Sequence, residues 1–217
     1  MCAYIKLENI CYKYKKGDFE LKDVSLSMDE GRIYCITGKN GCGKTTLGKI
    51  IAGIFKPQSG KYFLCGKDTA DMQLYEFGSK IGYLFQNPSK QLFAQSVKEE
   101  ITFALSLKGV GDEKCREICA EMIEKFDLKK IADAPTLNLS RGEKQRLALA
   151  AIFADGARFI MLDEPTTALD KVRREDFYAM LNRLKAEGIG AAVITHDSAL
   201  VEGCADVVFQ MDGGRLL

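Results

Sequence analysis

The chain has 217 residues, of which 47% are hydrophobic and 28% charged, a composition typical of a globular protein with a buried core. Its 31 basic and 30 acidic residues give a net charge of +1, which indicates no extended basic surface and predicts no nucleic-acid partner. The longest apolar run, residues 147–154, is far shorter than the ~18 residues of a membrane span, and no signal-peptide pattern opens the chain, so we expect a soluble, cytoplasmic protein.

Short apolar runs bounded by turn residues predict several strands in the first part of the chain. These runs are Tyr4–Leu7, Glu20–Met28, Arg32–Thr37 and Lys61–Leu64. Because they are short and separated by glycine turns, they predict an antiparallel sheet at the edge of the fold.

Later strand patterns alternate with helical ones. The strands are predicted at Ile81–Phe85, Arg158–Leu162, Ala191–Thr195 and Val207–Met211, and the helices between the last three at Lys171–Glu187 and Ser198–Cys204. Strands that alternate with helices in this way are typical of a parallel sheet.

Residues 95–154 show an almost continuous helical pattern, with breaks at 109–111 and 135–140. The sequence therefore predicts an α/β fold with a mainly parallel sheet, an N-terminal antiparallel β-subdomain and an inserted α-helical subdomain. We expect one domain over 1–217, with the core and β-subdomain at about 1–86 and 156–217 and the helical subdomain at about 87–155.

The eight cysteines include no Cys-x-x-Cys pair. Cys115 and Cys119 lie one helical turn apart, and Met122 and Phe126 continue the same apolar face. We interpret them as reduced core thiols on an amphipathic helix and not as metal ligands.

A glycine-rich segment carries the pattern G-x-x-x-x-G-K-[ST], and it consists of Gly38, Lys39, Asn40, Gly41, Cys42, Gly43, Lys44, Thr45 and Thr46. An apolar strand precedes it and a helical pattern follows, the context that a phosphate-binding P-loop requires. Glycines let backbone N–H groups turn toward phosphate oxygens at a helix N-terminus. We expect Lys44 to reach the β- and γ-phosphates of a nucleotide and Thr45 to hold Mg²⁺. The pattern predicts a P-loop NTPase core but leaves kinases, GTPases and helicases open.

The predicted strand at Arg158 ends in two acids, Asp163 and Glu164. Asp163 is placed to meet the Mg²⁺ shell, and Glu164 to polarise a water molecule against the γ-phosphate. Shortly before them, Ser140 and Glu143 form a capping-box pattern that predicts the start of a helix.

The motifs occur in the order P-loop, Gln86 after an apolar strand, Leu139–Arg146, Leu162–Pro165, Ala168–Asp170 and Thr195–Asp197. This order resembles the nucleotide-binding domain of ABC transporters over essentially the whole chain. The resemblance implies ATP and Mg²⁺ as cofactors and a RecA-like core. Tyr14 matches the aromatic residue that stacks on adenine in this family, and Tyr12 is the alternative.

The family's roles carry over by motif. The resemblance implies that Gly41, Gly43, Lys44, Thr45 and Thr46 bind phosphate and Mg²⁺ and that Gln86, Asp163, Glu164 and His196 serve the γ-phosphate and metal. Within that set Gln86 senses γ-phosphate and metal and connects to a membrane partner, Asp163 is the metal-shell acid and Glu164 the catalytic base. His196, the only histidine in the chain, contacts the γ-phosphate. Asp170 belongs to the nucleotide site through its motif.

The resemblance also implies that Ser140 and Gly142 close on the nucleotide of a second ATPase subunit, identical or paralogous, in a head-to-tail dimer. The sequence departs from the family here, because Arg141 replaces the first glycine of Leu-Ser-Gly-Gly-Gln and Glu143 replaces the glutamine. The hydroxyl of Ser140 and the amide of Gly142 remain suited to phosphate contact.

The segments Phe85–Phe93 and Val97–Phe103 are similar to those of energy-coupling-factor importer ATPases, the cobalt and vitamin uptake systems. This resemblance implies a transmembrane partner and a peripheral position at the cytoplasmic face of the cell membrane. We expect residues 86–103 to form the partner surface, with Leu92, Phe93 and Val97 as candidate exposed apolar residues. An ABC exporter subunit and a non-transport ABC ATPase are the alternatives.

Overall fold

The computed structural model describes residues 3–15, 19–167 and 169–217. Its strands are β1 (Ile5–Lys13), β2 (Glu20–Met28), β3 (Ile33–Gly38), β4 (Ser59–Leu64), β5 (Lys67–Asp68), β6 (Ile81–Leu84), β7 (Phe159–Asp163), β8 (Gly190–Ile194), β9 (Val207–Asp212) and β10 (Arg215–Leu216). Its α-helices are α1 (Lys44–Ile51), α2 (Leu74–Gly78), α3 (Val97–Leu107), α4 (Asp112–Lys125), α5 (Arg141–Ala154), α6 (Lys171–Ala186) and α7 (Ser198–Cys204). Short 3₁₀ turns lie at Pro88–Lys90, Lys129–Ile131 and Thr136–Asn138.

The strands form two sheets. One has four antiparallel strands in the order β2-β1-β4-β5, and the other has six in the order β10-β9-β3-β8-β7-β6. All neighbours in the larger sheet are parallel except β10 and β9. The predicted fold class, with a mainly parallel sheet beside an antiparallel one, is confirmed.

The central strands of the larger sheet are buried on both faces, as their continuous apolar sequences require. In β3, Ile33 and Cys35 face a core shared with helices α3 to α7, whereas Tyr34 and Ile36 face a core shared with α1 and the smaller sheet. Helix α1 therefore packs between the two sheets, and its N-terminus is fixed at the end of β3.

Two details of the strand prediction were wrong. The sequence pattern predicts the run at Arg32–Thr37 as one of the N-terminal antiparallel strands, but β3 lies inside the parallel sheet between β9 and β8. The run at Tyr4–Leu7 continues as β1 through Lys13, because register shifts against both neighbours let the strand bend where its alternation fails.

The helical region has one more break than the sequence indicated. Helix α4 ends at Lys125, and Asp127 takes a positive φ of 50° before the chain turns toward α5. The apolar side chains Phe126 and Leu128 are buried at this break, so tertiary packing ends the helix where the hydrophobic pattern alone shows no boundary.

Two of the cysteines lie where the helical pattern predicts, on the core face of α4. Cys115 and Cys119 are each 6% exposed in the core with Met122 and Phe126, and the described cysteines are free thiols. Cys2 lies outside the described residues. In the ranges that the structure covers, no helix combines the length and the apolar character needed to cross a bilayer.

Candidate nucleotide-binding site

The carboxyl ends of β3, β6, β7 and β8 meet at one edge of the parallel sheet and border a cleft of about 700 Å³. Ligands of open α/β sheets bind at this edge. The cleft is lined by Tyr14, Phe19, Asn40, Gly41, Gly43, Lys44, Thr45, Thr46, Gln86, Asp163, Glu164, Thr167, Ile194 and His196. Sequence motifs that are far apart in the chain are thus brought together.

The loop between β3 and α1 has a backbone that only glycine adopts easily. Gly38 has a φ of 139°, and a Cβ there would lie 2.2 Å from the carbonyl oxygen of Met211. Gly43 has a φ of 107° and is the N-cap of α1. The loop therefore turns tightly from β3 into the N-terminus of α1, which faces the cleft with the N–H groups of its first turn and the positive end of its dipole.

Lys44 folds back over this loop. Its Nζ donates to the carbonyl oxygens of Gly38 at 2.7 Å and Lys39 at 3.0 Å, and the residue is 7% exposed. The ammonium group is consequently held inside the curve of the loop, where an anionic phosphate would be bound. The Cys42 side chain points into the core and leaves only its backbone for such a contact.

Asp163 is held at the floor of the cleft by two hydroxyl groups. Thr45 Oγ1 donates to its Oδ1 at 3.2 Å, and the Tyr83 hydroxyl donates to its Oδ2 at 3.1 Å. Asp163 is only 8% exposed. Burial, followed by the negative charge of Asp163, raises the pKa of Tyr83 far above its usual range, so the phenol stays protonated and remains a donor.

These oxygen atoms fit a magnesium ion that shares its coordination shell with a nucleotide. Mg²⁺ typically takes one or two carboxylates together with phosphate oxygens and water. Residues 3–15, 19–167 and 169–217 contain no cluster of three or more His, Cys, Asp or Glu that could hold a metal alone. The hydroxyl of Thr45 and the carboxylate of Asp163 would be its protein ligands, and Gln86, the third residue predicted for the metal, lines the same cleft.

Glu164 follows Asp163 with a positive φ of 49°, which is uncommon for a residue other than glycine and is a strained conformation. Its N–H donates to the carbonyl oxygen of Ile194 at 3.0 Å, which ties the turn to β8. Its Oε1 lies 3.3 Å from His196 Nε2, and Thr167 Oγ1 donates to its Oε2 at 3.4 Å. The carboxylate is therefore oriented within the cleft by a histidine and a threonine, where it can polarise water.

The two tyrosines at the end of β1 have different surroundings. Tyr14 lines the cleft, and its hydroxyl lies 3.0 Å from Thr46 Oγ1. Tyr12 instead stacks on Phe55, with ring centroids 5.2 Å apart and planes inclined by 3°. The structure thus favours Tyr14 over Tyr12 as the aromatic face available to a base, together with Phe19.

Three residues predicted for the nucleotide lie elsewhere on this subunit. Ser140 caps α5, since its Oγ accepts from the Glu143 N–H at 3.4 Å and its own N–H donates to Glu143 Oε2 at 2.7 Å. Hydrogen bonds from the Ser140 hydroxyl and then from the Ser140 N–H lower the pKa of the Glu143 carboxyl group. Asp170 caps α6 by accepting from the Arg173 N–H at 2.9 Å. Of the described residues that border the cleft, none is Ser140, Gly142 or Asp170, and Ala168 of the same motif lies outside the described residues.

Sequence reasoning missed three residues of the site. Tyr83 orients Asp163, Thr167 contacts Glu164, and Phe19 lies beside the loop. Tyr83 could have been suspected as a polar aromatic residue near the end of a strand predicted to be buried, because a buried phenol needs a hydrogen-bond partner. Thr167 and Phe19 carry no comparable signal.

Comparison with known proteins places the chain in a family. A family model described as ABC transporter matches residues 21–167. The energy-coupling factor transporter ATP-binding protein EcfA1 of Thermotoga maritima is 36% identical over 212 residues, which cover 98% of this chain and 80% of that protein. A putative ABC transporter ATP-binding protein of Caldanaerobacter subterraneus is also 36% identical over 212 residues, but this chain spans only 37% of its length.

Solved structures agree in fold. The cbiO1 protein of Clostridium perfringens, part of the ABC transporter complex cbiONQ, superposes with a TM-score of 0.90 at 30% identity, covering 99% of this chain and 87% of that one. A dimeric ATP-binding cassette in a post-hydrolysis state with ADP and Pi gives a TM-score of 0.85 at 29% identity and covers 98% of this chain and 96% of its own. The resemblance stated from the sequence is confirmed, and the chain belongs to the ABC transporter family.

Proposed function

We propose that this chain is the ATP-binding and ATP-hydrolysing subunit of an energy-coupling-factor type importer for a vitamin or metal ion. The observation that carries the proposal is that three features border one cleft. They are the P-loop, the Asp163 carboxylate hydrogen-bonded to Thr45, and the Glu164 carboxylate in contact with His196. The Thermotoga relative is named as an energy-coupling factor ATPase, and the clostridial structure belongs to a cbiONQ transporter complex, which supports the importer class.

The geometry suits phosphoryl transfer to water. The amides at the start of α1 and the Lys44 ammonium would bind the β- and γ-phosphates, and the ring of Tyr14 would contact the base. Mg²⁺, held by Thr45 and Asp163 when bound, would supply charge neutralisation at the phosphates. Glu164 would orient and deprotonate the attacking water, and His196 would donate to the γ-phosphate.

Nucleotide binding and Mg²⁺-dependent hydrolysis by the purified chain test this function. The wild type should hydrolyse ATP, and Lys44→Ala should weaken ATP binding by roughly tenfold to a hundredfold, because a charge-assisted contact to phosphate is lost. Lys61→Ala, which removes a charge at an exposed position of strand β4, is the matched control and should bind normally. Normal ATP affinity in Lys44→Ala would refute the assignment of the loop.

We further infer that two ATPase subunits, identical or paralogous, assemble head to tail around ATP. Ser140 and Gly142 lie at the N-terminus of α5 and do not line the cleft of their own subunit. The nucleotide that they could contact is therefore the one bound by a second subunit. Within the cap the Ser140 hydroxyl also hydrogen-bonds to the Glu143 carboxylate, and it would turn from that carboxylate to donate to a phosphate bound by the second subunit. The solved structures of a similar ATP-binding cassette are dimeric, which supports assembly in pairs.

Sedimentation of Glu164→Gln, in which we expect hydrolysis to be slowed, tests assembly of identical copies. A dimer with ATP and a monomer with ADP is the expected result, because the γ-phosphate adds charge-assisted contacts to the interface. A monomer in both nucleotides would refute the homodimer and require a different second ATPase subunit.

We propose that residues around Phe93 dock a helix of a transmembrane subunit and hold the chain at the cytoplasmic face of the membrane. Phe93 is 70% exposed and packs edge-on against Phe103, which is 44% exposed, with ring centroids 5.5 Å apart. The buried Glu100 carboxylate accepts the N–H groups of Phe93 and Ala94 and so fixes the loop that presents this pair. Val97, predicted to be exposed here, is fully buried, because it starts α3 and faces the core.

We also propose how the chain divides into a core and a helical subdomain. We infer that residues of about 87–155, which carry α3 to α5, act as a helical subdomain on a core formed by about 1–86 and 156–217. The segment lies between β6 and β7, two neighbouring strands of the parallel sheet, which is where an insertion leaves the sheet intact.

A further inference from the structure

The first two turns of α5 make two contacts that the phosphate site does not explain. Arg141 Nη2 donates to the carbonyl oxygen of Gln86 at 3.0 Å, and Gln145 Nε2 donates to the carbonyl oxygen of Pro165 at 3.3 Å. Residues four apart lie on the same face of a helix, so both donors leave α5 on one side.

The two acceptors belong to the two loops that border the cleft beyond the P-loop. Gln86 is itself a lining residue, and Pro165 directly follows Glu164. Helix α5 is therefore hydrogen-bonded to the loop after β6 and to the loop after β7 at the same time. The same helix begins at Ser140, which is proposed to meet the nucleotide of a second subunit.

The P-loop half of the site is held differently. Lys44 on α1 is bonded to Gly38 and Lys39, and Asp163 at the end of β7 is bonded to Thr45 and Tyr83. These contacts join β3, β6, β7, α1 and the loop between β3 and α1, and none of them involves α5. A displacement of α5 would consequently act directly on Gln86 and on Pro165, the neighbour of Glu164, and not on the hydrogen bonds that hold Lys44 and Asp163.

We propose that Arg141 and Gln145 are positioning residues that couple the placement of helix α5 to the separation of Gln86 and Glu164 across the cleft. Arg141, which stands where the family signature has glycine, would thus hold the Gln86 loop of its own subunit. The proposal rests on the proposed ATPase function for its kinetic consequence, whereas the two hydrogen bonds are observed directly in the structure.

The test compares Arg141→Ala, Arg141→Lys and the control Lys144→Ala. Lys144 lies on the same helix and donates to the Leu137 carbonyl oxygen, which is not part of the cleft. Amide hydrogen exchange of residues 84–91 is measured in the nucleotide-free protein, and kcat, KM and ATP affinity are measured with Mg²⁺.

We expect Arg141→Ala to speed exchange of residues 84–91 and to lower kcat, each by about tenfold, with ATP affinity unchanged. Arg141→Lys should restore part of both effects, since it keeps a cationic donor, and Lys144→Ala should match the wild type. Gln145→Leu, which removes the second donor without adding a charge, should lower kcat in the same way.

Wild-type exchange and wild-type kcat in Arg141→Ala would overturn the proposal. So would a loss confined to ATP affinity, or equal losses in Arg141→Ala and Lys144→Ala. If the wild-type protein did not hydrolyse ATP, the proposed function would fail, whereas the exchange measurement would still decide whether Arg141 holds the Gln86 loop.

Discussion

Replacing Tyr83 by Phe removes one hydroxyl group from the site and leaves the packing of β6 otherwise intact. The phenol is 8% exposed and donates to Oδ2 of Asp163, which is also 8% exposed. Water cannot easily replace the lost donor there, so the carboxylate keeps only its bond from Thr45.

A hydrogen bond to a charged group contributes about 1.5–3 kcal/mol, and we expect the low end because Thr45 remains. For a domain of this size, that loss should lower the melting temperature by roughly 3–8 °C. A side chain that orients a metal ligand typically changes metal affinity by at least about tenfold, so the Mg²⁺ concentration for half-maximal hydrolysis should rise by that factor.

Thermal unfolding and Mg²⁺ titration of ATP hydrolysis measure the two effects. Tyr62→Phe is the matched control, since its buried hydroxyl donates to the Ile51 carbonyl oxygen at 2.6 Å, away from Asp163. Tyr62→Phe should lower the free energy of unfolding by about 1 kcal/mol, as expected for loss of a hydrogen bond to a neutral acceptor, and leave the Mg²⁺ requirement unchanged. An unchanged Mg²⁺ requirement in Tyr83→Phe would refute the proposed role of Asp163.

Three other substitutions have defined outcomes. Phe93→Asp should abolish co-purification with the transmembrane subunit while ATP affinity stays normal, because a charge would enter the exposed aromatic pair; intact assembly would contradict this. Gly38→Ala should lower the unfolding free energy by more than about 2 kcal/mol and abolish ATP binding, since its Cβ would meet the backbone of Met211; normal binding would contradict it. Burial tends to raise the pKa of Asp206, but the hydrogen bond from the Ile33 N–H and the contact with Lys185 together lower it by more, so the net shift of the pKa is downward. Its contribution is therefore present above about pH 4 and lost as pH falls, and Asp206→Asn should unfold with a weaker dependence on acid pH than the wild type.

The local parts of the site could be predicted from sequence because each has its own signal. The P-loop requires glycines at fixed positions, and the structure shows the reason at Gly38, where any side chain would collide with the backbone. The capping box of Ser140 is similarly a short-range pattern, and its two hydrogen bonds are present.

Contacts between distant elements could not be predicted in this way. The hydrogen bond from Tyr83 to Asp163 depends on the pairing of β6 with β7, which no local pattern specifies. The bond from Arg141 to Gln86 spans 55 residues and appears only when α5 is packed beside the sheet. Burial of Val97 likewise follows from the position of α3 against the core and not from its own neighbours in sequence.

The central claim is that Glu164 activates water for hydrolysis of bound ATP. Single-turnover hydrolysis by Glu164→Gln, with ATP affinity measured on the same protein, tests it most directly, and Glu175→Gln on helix α6 is the control. We expect hydrolysis by Glu164→Gln to slow by roughly a hundredfold or more, with ATP affinity unchanged, because the amide keeps the shape of the side chain but cannot accept the proton. Hydrolysis at the wild-type rate would show that Glu164 is not the base and would contradict the account.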